Sequence, residues 1–336
     1  MNVLALLFVS AIASTVDESA LARYEFTGLE MAVPVRLVLY ASSEAQAEAA
    51  SKAALARFRE LNGIMSDYDP SSEVRRLAST SGGGKAVGVG PDLWNVLSKS
   101  QEISERSNGA FDVTVGPLVR VWRRSRRRAE LPTDERLAQQ MAAVGHQFMV
   151  LDEETRTVRL TKPDMWIDLG GIAKGYAIDA ALEVIREHGI TIALVDAGGD
   201  IGLGDPPPDR AGWGIGVAPL ERDAKPSMVL TLANVAVATS GDTWQFVEIE
   251  GRRYSHLVDP RTGIGLTDHS SVTVIAPDAM TADGLASAVS VLGPAKGLEL
   301  IDQTEGTAAF VVRAPEEKVE TYQSKRWTDV ESRKLE

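Results

Sequence analysis

The chain has 336 residues, 44% hydrophobic and 24% charged, with a formal net charge of -12. That apolar share supports a sizeable core and excludes a disordered chain, and the acidic balance argues against general nucleic-acid binding. Cysteine is absent, which removes disulfides, thiolate zinc sites, iron–sulfur clusters and a cysteine nucleophile.

The first element is an uncharged apolar run, Val3 to Ala13, closed by the small-x-small pattern Ala11-Ile12-Ala13. It is too short to span a bilayer, which takes ~20 residues, and is expected to be a signal peptide over 1–16. No cysteine follows it, so a lipid-anchored lipoprotein is not expected. No later segment reads as membrane-spanning.

Val35–Tyr40 reads as a strand. Ser42 and Ser43 cap a helix with Ala47, Ala50, Ala54, Phe58 and Leu61 on one face, stopping at Asn62-Gly63. Pro91 opens a second helix, with Leu93, Leu97 and Ile103, that ends before Asn108-Gly109. Arg120 to Arg128 holds six arginines in nine residues. That run suits docking an acidic acceptor, resting on anionic head groups, or lying as a solvated face or loop.

A strand near Trp166–Leu169 leads through Gly170-Gly171 into a third helix from Ala173 to Gly189. Lys174-Gly175-Tyr176 lacks the Ser or Thr of a phosphate loop. Still, glycines before a helix start let a ligand approach free backbone N–H groups. Asp196-Ala197-Gly198-Gly199-Asp200 follows the strand Ile192–Val195 without the spacing of a dinucleotide site. Met228–Leu232, Val235–Ala238, Ser271–Ala276 and Ala308–Val312 complete the strands, and a fourth helix runs from Thr281 to Gly293-Pro294. The order is not that of regular βαβ units, so the expected class is α+β (mixed α/β). A length that allows two domains is read as one catalytic body over 17–336, with room for two lobes around the site.

Six punctuated segments follow one another along the chain: Gly109 to Leu118, Asp168 to Tyr176, Asp196 to Asp200, Ala238 to Asp242, His256 to Gly263 and Ala282 to Ala288. Together they resemble the ApbE-like family, the FAD:protein FMN transferases, from about Met31 to Gly293. The resemblance implies a magnesium-dependent transferase that cleaves the FAD pyrophosphate and releases AMP. FMN would pass by a phosphoester bond to a threonine or serine of an acceptor protein. In relatives that acceptor belongs to a membrane redox complex outside the cytoplasmic membrane, which a periplasmic enzyme would meet.

The family pattern carries flavin contacts onto Met31, Tyr68, Ala110, Phe111, Asp112, Asp168, Lys174 and Leu257, and metal ligands onto Gly171, Asp283 and Ser287. Asp283 and Ser287 stand at i and i+4 and share a helix face. A carboxylate with a hydroxyl suits a hard cation such as Mg2+. Phosphoryl transfer also needs a proton acceptor, and His256 is the candidate base beside Asp283 in the catalytic set. His146, His188 and His269 read as surface or packing residues. Met31-Ala32-Val33 stands where relatives carry Met-Gly-Thr, Ser287 where they carry threonine, and Asp196 where they carry asparagine. An FAD pyrophosphatase giving FMN and AMP, and a non-catalytic FAD carrier, are the alternatives.

Overall fold

The computed structural model describes residues 21–221, 224–243, 245–315 and 318–334. The expected signal peptide lies outside the described residues. Chain order begins β1 (Ala22–Glu30), β2 (Val33–Ala41), α1 (Glu44–Met65), α2 (Glu73–Ala78), β3 (Val87–Gly88), α3 (Pro91–Arg106), α4 (Gly116–Arg128) and α5 (Asp134–Met141). Next come β4 (Met149–Asp152), β5 (Thr157–Leu160), α6 (Ala173–Glu187), β6 (Ala193–Ala197), β7 (Asp200–Leu203), β8 (Trp213–Gly216) and β9 (Met228–Leu232). The rest are β10 (Ala236–Gly241), β11 (Phe246–Ile249), β12 (Arg252–Ser255), β13 (Ser270–Ala276), α7 (Ala279–Asp302), β14 (Ala308–Arg313), β15 (Glu320–Gln323) and β16 (Ser332–Lys334).

Eight strands form the central sheet in the order β1-β2-β6-β7-β10-β13-β14-β15. Every neighbouring pair in it is antiparallel. Alternation sorts the faces. Val35, Leu37 and Leu39 of β2 and Val272 and Val274 of β13 point into a core shared with α1, α3, α6 and α7. Val38, Val237 and Ile275 point the other way, into a second core with Trp213, Leu230 and Trp327. The small sheet β16-β9-β8 covers that second face. Leu118 and Trp122 of α4 meet Leu137 of α5 and Tyr254 of β12 in a third cluster. The class is mixed, as expected, and the molecule is one body.

The four expected helices form, with two differences at their ends. Ser43 caps α1 by accepting from the Gln46 N–H at 3.3 Å, but the helix runs past Asn62-Gly63 because Met65 is buried in the core. At Gly293 the backbone leaves helical geometry (φ 72°), then α7 resumes through Pro294 to Asp302. With a mean hydropathy of 1.2, α7 is long and apolar enough to cross a membrane by length and composition, contrary to the sequence reading. Its Leu285, Ala286 and Val289 pack into the core. Short strands such as β7, β8, β11 and β12, and helices α2, α4 and α5, were not expected.

The β1–β2 turn is a two-residue hairpin whose central residues, Met31 and Ala32, have φ of 49° and 61°. Such turns favour glycine because a Cβ is strained there. Ala32→Gly is expected to raise stability by about 0.5–1 kcal/mol, or roughly 1 °C in thermal melts.

Candidate active site

The site forms where α6 and α7 cross. A Cβ on Gly175 would lie 2.2 Å from the Ala279 carbonyl oxygen, so only glycine lets α6 press against the start of α7. That contact brings the Gly175 N–H to Asp283 Oδ2 at 3.2 Å. Asp179 of α6 holds the same crossing by accepting the Ala279 and Met280 N–H groups at 2.8 and 2.9 Å. Asp179→Ala would leave both donors at the start of α7 without this partner. A loss of about 2–3 kcal/mol is expected, read by denaturant melts.

Asp283 and Asp200 are both buried, and Lys174 stands between them, on Asp200 Oδ2 and 3.6 Å from Asp283 Oδ2. Asp200 also accepts the Thr239 N–H at 3.1 Å. Burial, then repulsion from Asp200, pushes the Asp283 carboxyl above the usual range. The two carboxylates hold the Lys174 ammonium charged against its own burial. Two buried acids share one lysine, an arrangement short of positive charge that a further cation would complete.

Gly171 lies against the other end of this helix face. A Cβ there would be 2.9 Å from Ser287 Oγ and 3.5 Å from the Phe111 ring. The Ser287 hydroxyl is half-buried and has no hydrogen-bond partner among the described residues. A carboxylate and a hydroxyl at i and i+4, with the Gly171 backbone against that hydroxyl, are hard-oxygen chemistry that fits magnesium and leaves places for phosphate and water. Among the described residues no three His, Cys, Asp or Glu side chains cluster as a metal site, so any ion would rely on those neutral oxygens. Gly171→Ala is expected to displace the Ser287 side chain, cutting activity at least about tenfold while thermal melts stay near wild type.

The turn at Asp168 to Gly171 carries a second set. Asp168 Oδ1 accepts the Gly170 N–H at 2.9 Å, and Arg123 of α4 bridges Asp168 (3.0 Å) and Asp67 (2.6 Å). Burial and the neighbouring Asp67 raise the Asp168 carboxyl, and Arg123 opposes them. Arg123 also lies 4.5 Å from the centroid of Tyr68, whose ring is 74% exposed. An exposed ring held by a cation is a platform for a planar ligand. Phe111 and Ala110 are buried, and Asp112 next to them accepts from Thr114 N–H and Oγ1 and from the His146 N–H. Oδ1 of Asp112 is committed within the loop that presents Phe111 and Oδ2 ties that loop to His146, while burial raises the carboxyl.

Met31 packs, partly buried, against the main core, and the strand it precedes is tied to the Gly198 turn. The Gly198 N–H donates to the Pro34 carbonyl at 3.0 Å, two residues before Asp200. His256 and the half-buried Leu257 follow β12. The His256 Nδ1 is 3.1 Å from the Gln245 carbonyl oxygen, an acceptor, so Nδ1 carries the hydrogen and Nε2 keeps its lone pair. Burial lowers His256 to about 4, with Arg126 and Lys174 adding positive charge nearby.

The β11–β12 hairpin that carries His256 hangs on Asp242. This buried carboxylate takes the Arg253 guanidinium and lies 2.7 Å from His269 Nδ1. His269 packs against Asp242 through that bond, and Asp200, Asp67, Arg123 and Arg253 lie in this region although none was among the expected site residues. Asp242→Ala leaves Arg253 without its carboxylate and is expected to cost about 3 kcal/mol, visible as an earlier urea midpoint. The arginine run is not a loop but helix α4, with Arg123 built into the site.

A model of the ApbE family matches residues 31–311. The chain is 31% identical over 262 residues to the FAD:protein FMN transferase of Haemophilus influenzae, covering 76% of each chain. It is 31% identical over 283 residues to that of Treponema pallidum, covering 80% of this chain and 78% of the other. The solved flavinyl transferase ApbE of Pseudomonas stutzeri superposes with a TM-score of 0.82 at 28% identity, covering 92% of this chain and 97% of that one. With that match over most of its length, on a site built from the same segments, the chain belongs to the ApbE family.

Proposed function

We propose that the chain is a magnesium-dependent FAD:protein FMN transferase acting on a threonine or serine of an acceptor protein. The observation that carries it is the pair of buried carboxyls, Asp200 and Asp283, around the single Lys174, with Asp283 on the helix face that also carries the free hydroxyl of Ser287. Asp283, Ser287 and the Gly171 carbonyl would hold the ion, which when bound neutralises pyrophosphate charge.

The remaining work falls to the chain. Tyr68 and Phe111 offer ring faces for the flavin, and Met31 and Leu257 offer apolar contact. Lys174 places a positive charge at the pyrophosphate side. The acceptor hydroxyl oxygen attacks the phosphorus of the FMN half, the bridging P–O bond breaks, and AMP leaves with the bond electrons. The hydroxyl proton passes to His256 Nε2. Phosphoryl transfer of this kind depends mainly on alignment and charge neutralisation.

Export to the periplasm is part of the proposal and rests on the Val3–Ala13 run; an acceptor in a membrane redox complex would be met there. Incubation with FAD, Mg2+ and a threonine-bearing acceptor should give AMP and covalently bound flavin in equal amounts. AMP with no labelled acceptor would instead identify a pyrophosphatase, and neither product would identify a carrier.

A further inference from the structure

Helix α4 sorts its arginines. Arg120, Arg123, Arg124 and Arg127 stand at i, i+3, i+4 and i+7 on one face, while Leu118 and Trp122 are buried on another. Arg75 of α2, Arg136 of α5 and Trp166 join that basic face around a groove of about 790 Å³. Asp164 is the one acidic residue lining it. The Arg75 and Arg120 guanidiniums lie 3.5 and 4.3 Å from the Trp166 ring centroid. The Arg75 Nε and the Trp166 Nε1 are buried there without a hydrogen-bond partner among the described residues.

Arg123 is ion-paired to Asp67 and Asp168. Arg120, Arg124, Arg127 and Arg136 are exposed and have no ion pair among the described residues. Like charges one turn apart weaken a helix by a few tenths of a kcal/mol per pair. The helix dipole offsets this only in the last turn, which Arg120 does not reach. On a chain of net charge -12, so much uncompensated positive charge in one groove is complementary to carboxylates. Tyr68 and Arg123 are among the residues lining the groove, and Arg123 bonds Asp168 at the edge of the Gly170-Gly171 turn.

We propose that this groove docks an acidic stretch of the acceptor protein beside its reacting hydroxyl. The inference rests on the transferase reading above. An inserted carboxylate side chain can meet the half-buried Arg75 together with Arg120, Arg124 and Arg127, whereas a flat bilayer surface meets only the exposed arginines.

Binding tests it without requiring transfer. Two labelled peptides, each with one threonine, are compared: one flanks it with four glutamates, the other with four glutamines. The glutamate peptide should bind at least tenfold more tightly at low salt, and Arg124→Gln with Arg127→Gln should remove most of that difference. FAD affinity and the thermal melt should stay as in the parent protein. Equal binding of the two peptides, or glutamate-peptide binding untouched by the double substitution, overturns the proposal. Loss of FAD affinity in the variant would also overturn it, assigning the groove to the nucleotide. So would loss of binding to phosphatidylglycerol vesicles with peptide binding intact. AMP release and covalent labelling, measured separately, report on the transferase reading itself.

Discussion

Asp283→Asn is expected to reduce transfer by at least about a thousandfold, roughly 4 kcal/mol of barrier, and yet to leave the metal-free protein as stable as before. The two halves have one cause. Asp283 is buried with Asp200 around a single lysine, and its carboxyl is pushed up because that negative charge is poorly satisfied. Neutralising it leaves Lys174 paired with Asp200 and balanced, while asparagine can still accept the Gly175 N–H. What is lost is the anionic ligand. Such sites give up stability for function, so thermal melts without metal should be level or higher in the variant. Magnesium should raise the melting temperature of the parent and not of Asp283→Asn.

Replacing His256 by alanine should slow transfer by about 100- to 10,000-fold at saturating FAD and acceptor, the usual contribution of a positioned base. With its value near 4, His256 is neutral from pH 5 upward, which is the form that takes a proton. Its acid limb should therefore fall near pH 4 rather than near 6.5, and the rate should show no inflection from this group between pH 5.5 and 8. Arg126→Gln removes one of the charges that hold it down, so that limb should move toward higher pH. Unchanged kcat in His256→Ala would remove the base assignment.

What was legible in the sequence was what local chemistry dictates. Ser43 before an apolar face, Pro91 at a helix start and Gly170-Gly171 before Ala173 each place an element within a residue or two. The i, i+4 spacing puts Asp283 and Ser287 on one helix face, and the structure adds Gly171 against Ser287. Tertiary partners were not legible. Asp200 pairs with Lys174 across 26 residues and Asp67 with Arg123 across 56, and no local signal reports such pairs. Helix α4 was hidden because its composition is so basic that its buried Leu118, Val121 and Trp122 were not read as a helical stripe. Met65 carries α1 past Asn62-Gly63 for a similar reason, since core burial outweighs the turn propensity of that pair.

The most direct measurement is a single incubation of the protein with FAD, Mg2+ and a threonine-bearing acceptor, following AMP release and flavin fluorescence on the denatured acceptor together. Stoichiometric AMP and covalent label are expected, both abolished by chelation of the metal and by Asp283→Asn. AMP without label, or label that forms equally well in Asp283→Asn, would contradict the magnesium-dependent transferase assignment.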